Sequence, residues 1–202
     1  MLRLEPRPQA SRLWTYASPV LALVLTAIIA AMLFAALGKD PVKGLTMFFV
    51  EPWSNQRQIS ELLLKATPLI VIALGLAVCY RSNVWNIGAE AQLYAGAIVA
   101  VLLGTGAIPS PFVLPVTAVF AMLAGALVLL VPALLKTRLG VDEVVTTLLF
   151  NFIMLLFVSY LLEGPMKDPM GMGWPKSEAL LKEARLPRIA EGLRLHWGFA
   201  LA

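Results

Sequence analysis

The chain has 202 residues, of which 59% are hydrophobic and 14% charged, with a mean hydropathy of +0.82 and a formal net charge of +4. Soluble domains carry about 25% charged residues, so this composition excludes an ordinary soluble domain and describes a membrane protein. The positive balance forms no dense Lys/Arg face, which assigns it to the flanks of membrane spans and excludes nucleic acid as a partner.

Residues 1–12 form a short basic tail with Arg3, Arg7 and Arg12, which places the N-terminus in the cytoplasm. Leu13 to Leu37 follows without a single charge. About 20 such residues cross a bilayer core and this run exceeds that, so a tilted first membrane helix is expected. The run is too long for the apolar region of a signal peptide, and no clean small-residue cleavage site follows it. Lys39-Asp40-Pro41 ends the helix. Gly38 to Lys65 is a polar connection, within which Ser54 to Lys65 fits either a short amphipathic surface helix, with Ile59, Leu62 and Leu63 on one face, or a solvated loop.

Ala66 to Tyr80 is an apolar run too short for a full crossing, and Ala91 to Ile108 is a slightly longer one. Between them lies a polar island containing Arg81, Asn83, Trp85, Asn86, Gly88, Glu90 and Gln92; the next charge after Glu90 is Lys136. Polar and ionisable groups at such a place are functional-site candidates. The competing account is a hairpin at the membrane surface, with Asn86 as helix N-cap and Glu90 in the first turn, where the helix dipole favours a carboxylate. Either both helices cross fully and the island is a cytoplasmic turn, or the chain breaks within the membrane around residues 81–92 and the island lines a cavity. On a helix Asn86 and Glu90 share a face and Gln92 points elsewhere, so the three converge only if the backbone near Gly88 is not helical. Gly96, Ala100 and Gly104 then form a small-residue stripe suited to tight helix packing.

Ile108-Pro109-Ser110-Pro111 is a turn. Phe112 to Leu135 is an uncharged span closed by the basic Lys136-Thr137-Arg138, which fits a cytoplasmic side. Val144 to Leu162 is the next span, with Asn151 inside it as interhelical glue or as a pore-lining group. Glu163 to Leu195 is a second polar connection, interrupted by Pro165, Pro169, Pro175 and Pro187, in which Ser177 to Arg185 is expected as a short surface helix with Leu180, Leu181 and Ala184 partly buried. His196-Trp197 is an interfacial anchor opening a further apolar run, and the stretch from Trp197 to Ala202 is too short to span a bilayer. The fold class expected is therefore all-α: a polytopic transmembrane bundle of about five spans plus the start of a sixth.

Other chemistry is sparse. Cys79 is the single cysteine, which excludes an intramolecular disulfide and a cysteine metal cluster. The sequence holds no G-x-x-x-x-G-K-[ST], H-E-x-x-H or G-x-S-x-G pattern, so ATP hydrolysis, a cofactor and a metal are not expected on this polypeptide. A membrane enzyme would need an acid–base set, and Glu90 has no histidine near it in sequence.

Two blocks carry a resemblance. Asn86-Ile87-Gly88-Ala89-Glu90-Ala91-Gln92-Leu93-Tyr94-Ala95-Gly96 resembles the NIGAEGQLYLGA signature of bacterial ABC-transporter permeases for nucleosides, within the wider family of ribose-type and branched-chain amino-acid permeases. Gly140-Val141-Asp142-Glu143-Val144-Val145-Thr146-Thr147-Leu148-Leu149-Phe150-Asn151-Phe152 resembles a second block of that subfamily. Ala91 replaces the usual Gly and Asp142 the usual Asn. The resemblance implies a permease subunit that pairs with a second permease subunit as a homo- or heterodimer. It also implies cytoplasmic ATPase subunits and an extracytoplasmic substrate-binding protein as partners, in the cell membrane. The alternatives are a simple-sugar or branched-chain amino-acid permease, or a structural membrane subunit. Family members are longer, so residues 1–202 are expected to be one permease domain truncated at its C-terminus. The implied substrate path takes Asn83, Trp85, Asn86, Gly88, Glu90, Gln92 and Asn151, with Asn86, Glu90 and Gln92 meeting ribose hydroxyls and base edges and Trp85 or Tyr94 stacking on the base.

Overall fold

The computed structural model of the protein describes residues 11–109 and 111–202; Arg3 and Arg7 of the basic tail and Ser110 of the expected turn lie outside the described residues. Every regular element among the described residues is helical. Four helices are long and apolar enough to cross a membrane, and a fifth, shorter apolar helix accompanies them. The chain divides into two compact units, one ending at Leu62 and one running Leu63–Ala202.

In the first unit, α1 (Arg12–Ala36) is the expected first span and buries none of its residues in the protein, as a helix solvated by lipid does. Gly38, at φ +67, turns the chain, and α2 (Pro41–Phe49) folds back so that Phe48 meets Phe34 at a ring separation of 6.5 Å. A helix here was not expected from the sequence, although Asp40-Pro41 carries its start signal. The Asp40 carboxylate accepts from the backbone N–H groups of Val42 (2.9 Å) and Lys43 (3.3 Å), and Pro41 occupies the first helical position.

α3 (Gln56–Arg81) corrects the expected short run Ala66–Tyr80: it is one helix of 26 residues. The stretch from Gln56 to Lys65, expected as a separate surface helix or loop, is its first turns. Gln, Arg, Glu, Leu and Lys are all good helix formers, so charge ends the apolar run without ending the helix. Pro68 lies inside it, and the neighbouring Thr67 hydroxyl bonds back to the Leu63 carbonyl at 2.9 Å.

In the second unit, α4 (Ala89–Gly104) packs along α5 (Val113–Leu139) and against α6 (Glu143–Glu163). The small residues expected to allow close packing do so in part. A Cβ on Gly96 would sit 3.3 Å from the Ala121 carbonyl oxygen of α5, whereas Gly104 faces Leu180 and Ala184 of the later loop. Gly140 ends α5 in the left-handed region (φ +66), with its N–H and that of Val141 returning to Lys136 and Leu135. Asp142 caps α6 by accepting from Val144 and Val145. Asn at that position would supply the same acceptor, which is why the departure noted above is mild.

The expected helix from Ser177 to Arg185 is corrected to an extended segment with a single 3₁₀ turn, Lys182–Ala184. Its backbone serves α4 instead: the Leu181 N–H donates to the Gly104 carbonyl at 2.9 Å, satisfying one of the open carbonyls at that helix end. A four-residue helix, α7 (Gly198–Leu201), closes the chain. Residues 81–88 meet Glu143, the ion-pair partner of Lys136, at one end of this unit, and the C-terminal end of α4 meets the 180–184 segment at the other.

Candidate functional site

The polar island is not a helix. α3 stops at Arg81 with Asn83 in the left-handed conformation (φ +56), which Asn tolerates better than most residues. The N–H groups of Ser82, Asn83 and Val84 all return to carbonyls of the last turn of α3. Residues 84–88 then run without regular structure until α4 begins at Ala89.

α6 supplies the hydrogen bonds that this irregular backbone lacks. The Trp85 N–H points at a Glu143 carboxylate oxygen at 3.4 Å. The Ile87 N–H donates to the Thr147 hydroxyl at 3.1 Å. The Ala91 N–H donates to the Asn151 side-chain oxygen at 2.9 Å, and the Asn151 amide nitrogen donates to the Ile87 carbonyl at 2.8 Å. Glu143, Thr147 and Asn151 recur at four-residue spacing and so share one face of α6. The N-cap residue of α4 is Gly88, which has no side chain, so Asn151 of another helix caps α4 in its place. Lys136, at the end of α5, pairs with the other oxygen of Glu143 and fastens the network to a third helix.

Asn151 lies two helical turns beyond Glu143, about 12 Å along α6 at a rise of about 1.5 Å per residue. The start of α4 is therefore held two turns into α6 rather than at its first residue. The 16 residues of α4 reach about 24 Å. The displaced N–H and carbonyl groups named above are satisfied by protein, as an irregular segment between membrane helices requires.

Asn86 and Gln92 reach one cleft of about 670 Å³ between α3, α4 and α5, and they supply the side-chain amides of its lining. Asn86 is buried, and its side-chain oxygen accepts from the Gly88 N–H at 2.8 Å. The Gln92 side-chain nitrogen is buried without a hydrogen-bond partner among the described residues. Glu90 goes elsewhere: it is exposed and accepts from the Tyr94 hydroxyl at 2.9 Å. Trp85 is 54% exposed, with its ring 5.2 Å from that of Tyr80. Neither Trp85 nor Tyr94 lines the cleft. The convergence expected of Asn86, Glu90 and Gln92 is corrected: the irregular backbone before Gly88 joins Asn86 to Gln92, and Glu90 stays outside.

Gly88 allows a close approach to Thr147. A Cβ there would sit 3.0 Å from the Thr147 Cβ and 3.1 Å from the Thr147 carbonyl oxygen. Gly88→Ala is expected to push the island off α6 and to cost about 1–3 kcal/mol, the usual range for overpacking. A lowered thermal midpoint of the purified full-length permease would show it; an unchanged midpoint would mean the contact relaxes freely.

Glu143, Thr147 and Lys136 were not among the site residues expected from the sequence. For the two on α6, the signal was a polar residue every four positions (143, 147, 151) along a mostly apolar helix, which reads as one polar stripe.

Residues 58–202 match a profile of the family described as branched-chain amino acid transport system / permease component. A glucose ABC transporter permease protein of Haloferax volcanii is 33% identical over 190 residues, covering 94% of this chain and 50% of that relative. A nucleoside ABC transporter permease protein of Lactococcus lactis is 32% identical, over 72% of this chain and 41% of the relative. A guanosine ABC transporter permease protein of Bacillus subtilis is 28% identical, over 91% of this chain and 53% of the relative. The chain thus spans about half the length of the curated relatives it matches. No solved structure shows significant similarity. With most of its length matched, and with long apolar helices joined through an irregular polar segment, this chain belongs to the branched-chain amino acid transport system / permease component family of membrane proteins.

Proposed function

We propose that the chain is part of the membrane-spanning permease subunit of an ABC importer for nucleosides, and that the cleft bearing Asn86 and Gln92 is part of the translocation pathway. The observation that carries the substrate class is the lining of that cleft: two carboxamides on otherwise apolar walls. A nucleoside has an apolar base face with hydrogen-bonding edges, which such walls and two amides suit. A simple sugar would need a partner for each of its several hydroxyls, and these walls offer few. Relatives named for nucleosides and guanosine support the reading. The relative named for glucose keeps a sugar permease as the second reading.

In this reading ATP is hydrolysed on separate cytoplasmic ATPase subunits, substrate arrives from an extracytoplasmic binding protein, and a second permease subunit completes the pathway. Glu143, Thr147, Asn151 and Gly88 hold the island in place, while Asn83 and Trp85 set where α3 ends and the island begins. The test is uptake of labelled guanosine, uridine and glucose by a deletion strain carrying the full-length permease with its ATPase and binding protein. Restored nucleoside uptake that excess glucose does not compete is expected. Restored glucose uptake alone would establish the sugar reading.

A further inference from the structure

A second cleft, of about 550 Å³, lies at the opposite end of α4 and α5 from the island. Its floor is apolar, including Leu64 and Leu114, and its rim carries Arg185, Arg188 and His196. A short hairpin builds the rim: Arg188 and His196 face each other in an antiparallel bridge, with the Ile189 N–H on the Leu195 carbonyl (2.9 Å) and the Trp197 N–H on the Pro187 carbonyl (3.0 Å). Arg185 donates two hydrogen bonds to the Leu180 carbonyl, which fixes its position and leaves its charge uncancelled. Among the described residues neither Arg185 nor Arg188 has an ion-pair partner.

Thr117 is the decisive group. It is 7% exposed, it lines this cleft, and its hydroxyl oxygen is buried without a hydrogen-bond partner among the described residues. A threonine in a helix usually satisfies itself on the carbonyl four residues back, as Thr67 and Thr137 do here. A buried hydroxyl left unpaired inside a cleft costs free energy unless a ligand meets it.

We propose that this cleft binds an anionic glycerophospholipid. The phosphate lies on Arg188 and Arg185, a headgroup or glycerol oxygen accepts from the Thr117 hydroxyl, and an acyl chain runs over the apolar floor. The cleft lies at the ends of membrane helices beside the half-exposed Trp197, the level at which lipid headgroups and interfacial aromatics sit. Arginine guanidinium groups bind phosphate through charge-assisted hydrogen bonds, and the apolar lining below them suits an acyl chain. A flat acidic protein surface would use the arginines but would leave the apolar floor and Thr117 unfilled.

The experiment uses the full-length permease purified with its ATPase subunits, reconstituted in nanodiscs of phosphatidylglycerol and phosphatidylcholine, stripped with mild detergent and read by native mass spectrometry. Preferential retention of phosphatidylglycerol is expected. Arg188→Gln is expected to lower that retention roughly fivefold, as loss of one basic group at an anionic headgroup does. Thr117→Val, which changes no charge and almost no volume, is expected to lower it about threefold through one lost hydrogen bond. Lys182→Gln, in the same loop but outside the cleft, should leave it unchanged. Thr117→Val also decides the matter if Arg188→Gln fails to accumulate. Equal retention by the wild type, Arg188→Gln and Thr117→Val overturns the proposal. So does displacement of the bound lipid by millimolar inorganic phosphate, which would identify a free-anion site. Weaker binding-protein docking by Arg188→Gln with lipid retention unchanged would also overturn it, in favour of an acidic protein surface. None of these readouts depends on which solute is transported.

Discussion

Gln92→Leu is expected to lower nucleoside uptake roughly tenfold, the loss of one good hydrogen bond to substrate, while leaving the membrane level of the full-length permease unchanged or raised. The two effects separate because the Gln92 amide nitrogen has no partner within the protein among the described residues. Removing it deletes an unsatisfied buried donor, which tends to stabilise, and Leu fills similar volume against the apolar wall near Gly125 and Ala121. Asn86→Ala is less informative, because Asn86 also accepts from the Gly88 N–H and its loss disturbs the entry to α4. Glu90→Gln serves as the contrast: Glu90 is exposed and bound to Tyr94, so uptake per molecule should change little. Uptake and membrane level measured together decide it. Normal uptake by Gln92→Leu, or an uptake loss only in Glu90→Gln, would remove the cleft from the pathway.

Asn151→Leu is expected to have the largest effect on stability, about 2–4 kcal/mol, because it leaves both the Ala91 N–H and the Ile87 carbonyl without their partner. Polar contacts between membrane helices average only about 0.6 kcal/mol, since the separated helices find other partners for their side chains. Here the partners left behind are backbone groups of an irregular segment, which cannot bond within their own helix. Thr147→Val removes the acceptor of the Ile87 N–H together with the hydroxyl's own bond to the Glu143 carbonyl, leaves only one island backbone group unsatisfied, and should cost about 0.5–1.5 kcal/mol. Thermal unfolding of the purified full-length permease should therefore rank the wild type above Thr147→Val, and that above Asn151→Leu. A wild-type midpoint for Asn151→Leu would mean that α6 does not hold the island.

Much of the architecture was legible. The long uncharged runs marked α1, α5 and α6 to within a few residues, because bilayer thickness sets a length that composition alone reveals. Less legible were elements whose ends are polar. The run ending at Lys65 concealed the first turns of α3, and Asp40-Pro41 read as a stop where it also starts α2. The segment from Ser177 to Arg185 has helical spacing, yet its Leu181 N–H serves the end of α4. Periodicity cannot register that competition.

For the island, the sequence by itself determined that polar groups interrupt an apolar chain at residues 81–92, that Gly88 allows a close approach, and that a convergence of Asn86 with its neighbours requires irregular backbone there. Only the tertiary structure decided which groups converge and what holds them. Asn151 was readable as glue, but its partners, the backbone of Ile87 and Ala91, lie sixty or more positions away. Which side chain meets the cleft depends on how α4 is rotated when α6 caps its first turn. That rotation is fixed by hydrogen bonds between segments remote in sequence, so local pattern cannot carry it: a single register places Gln92 on α3 and α5 and sends Glu90 to Tyr94.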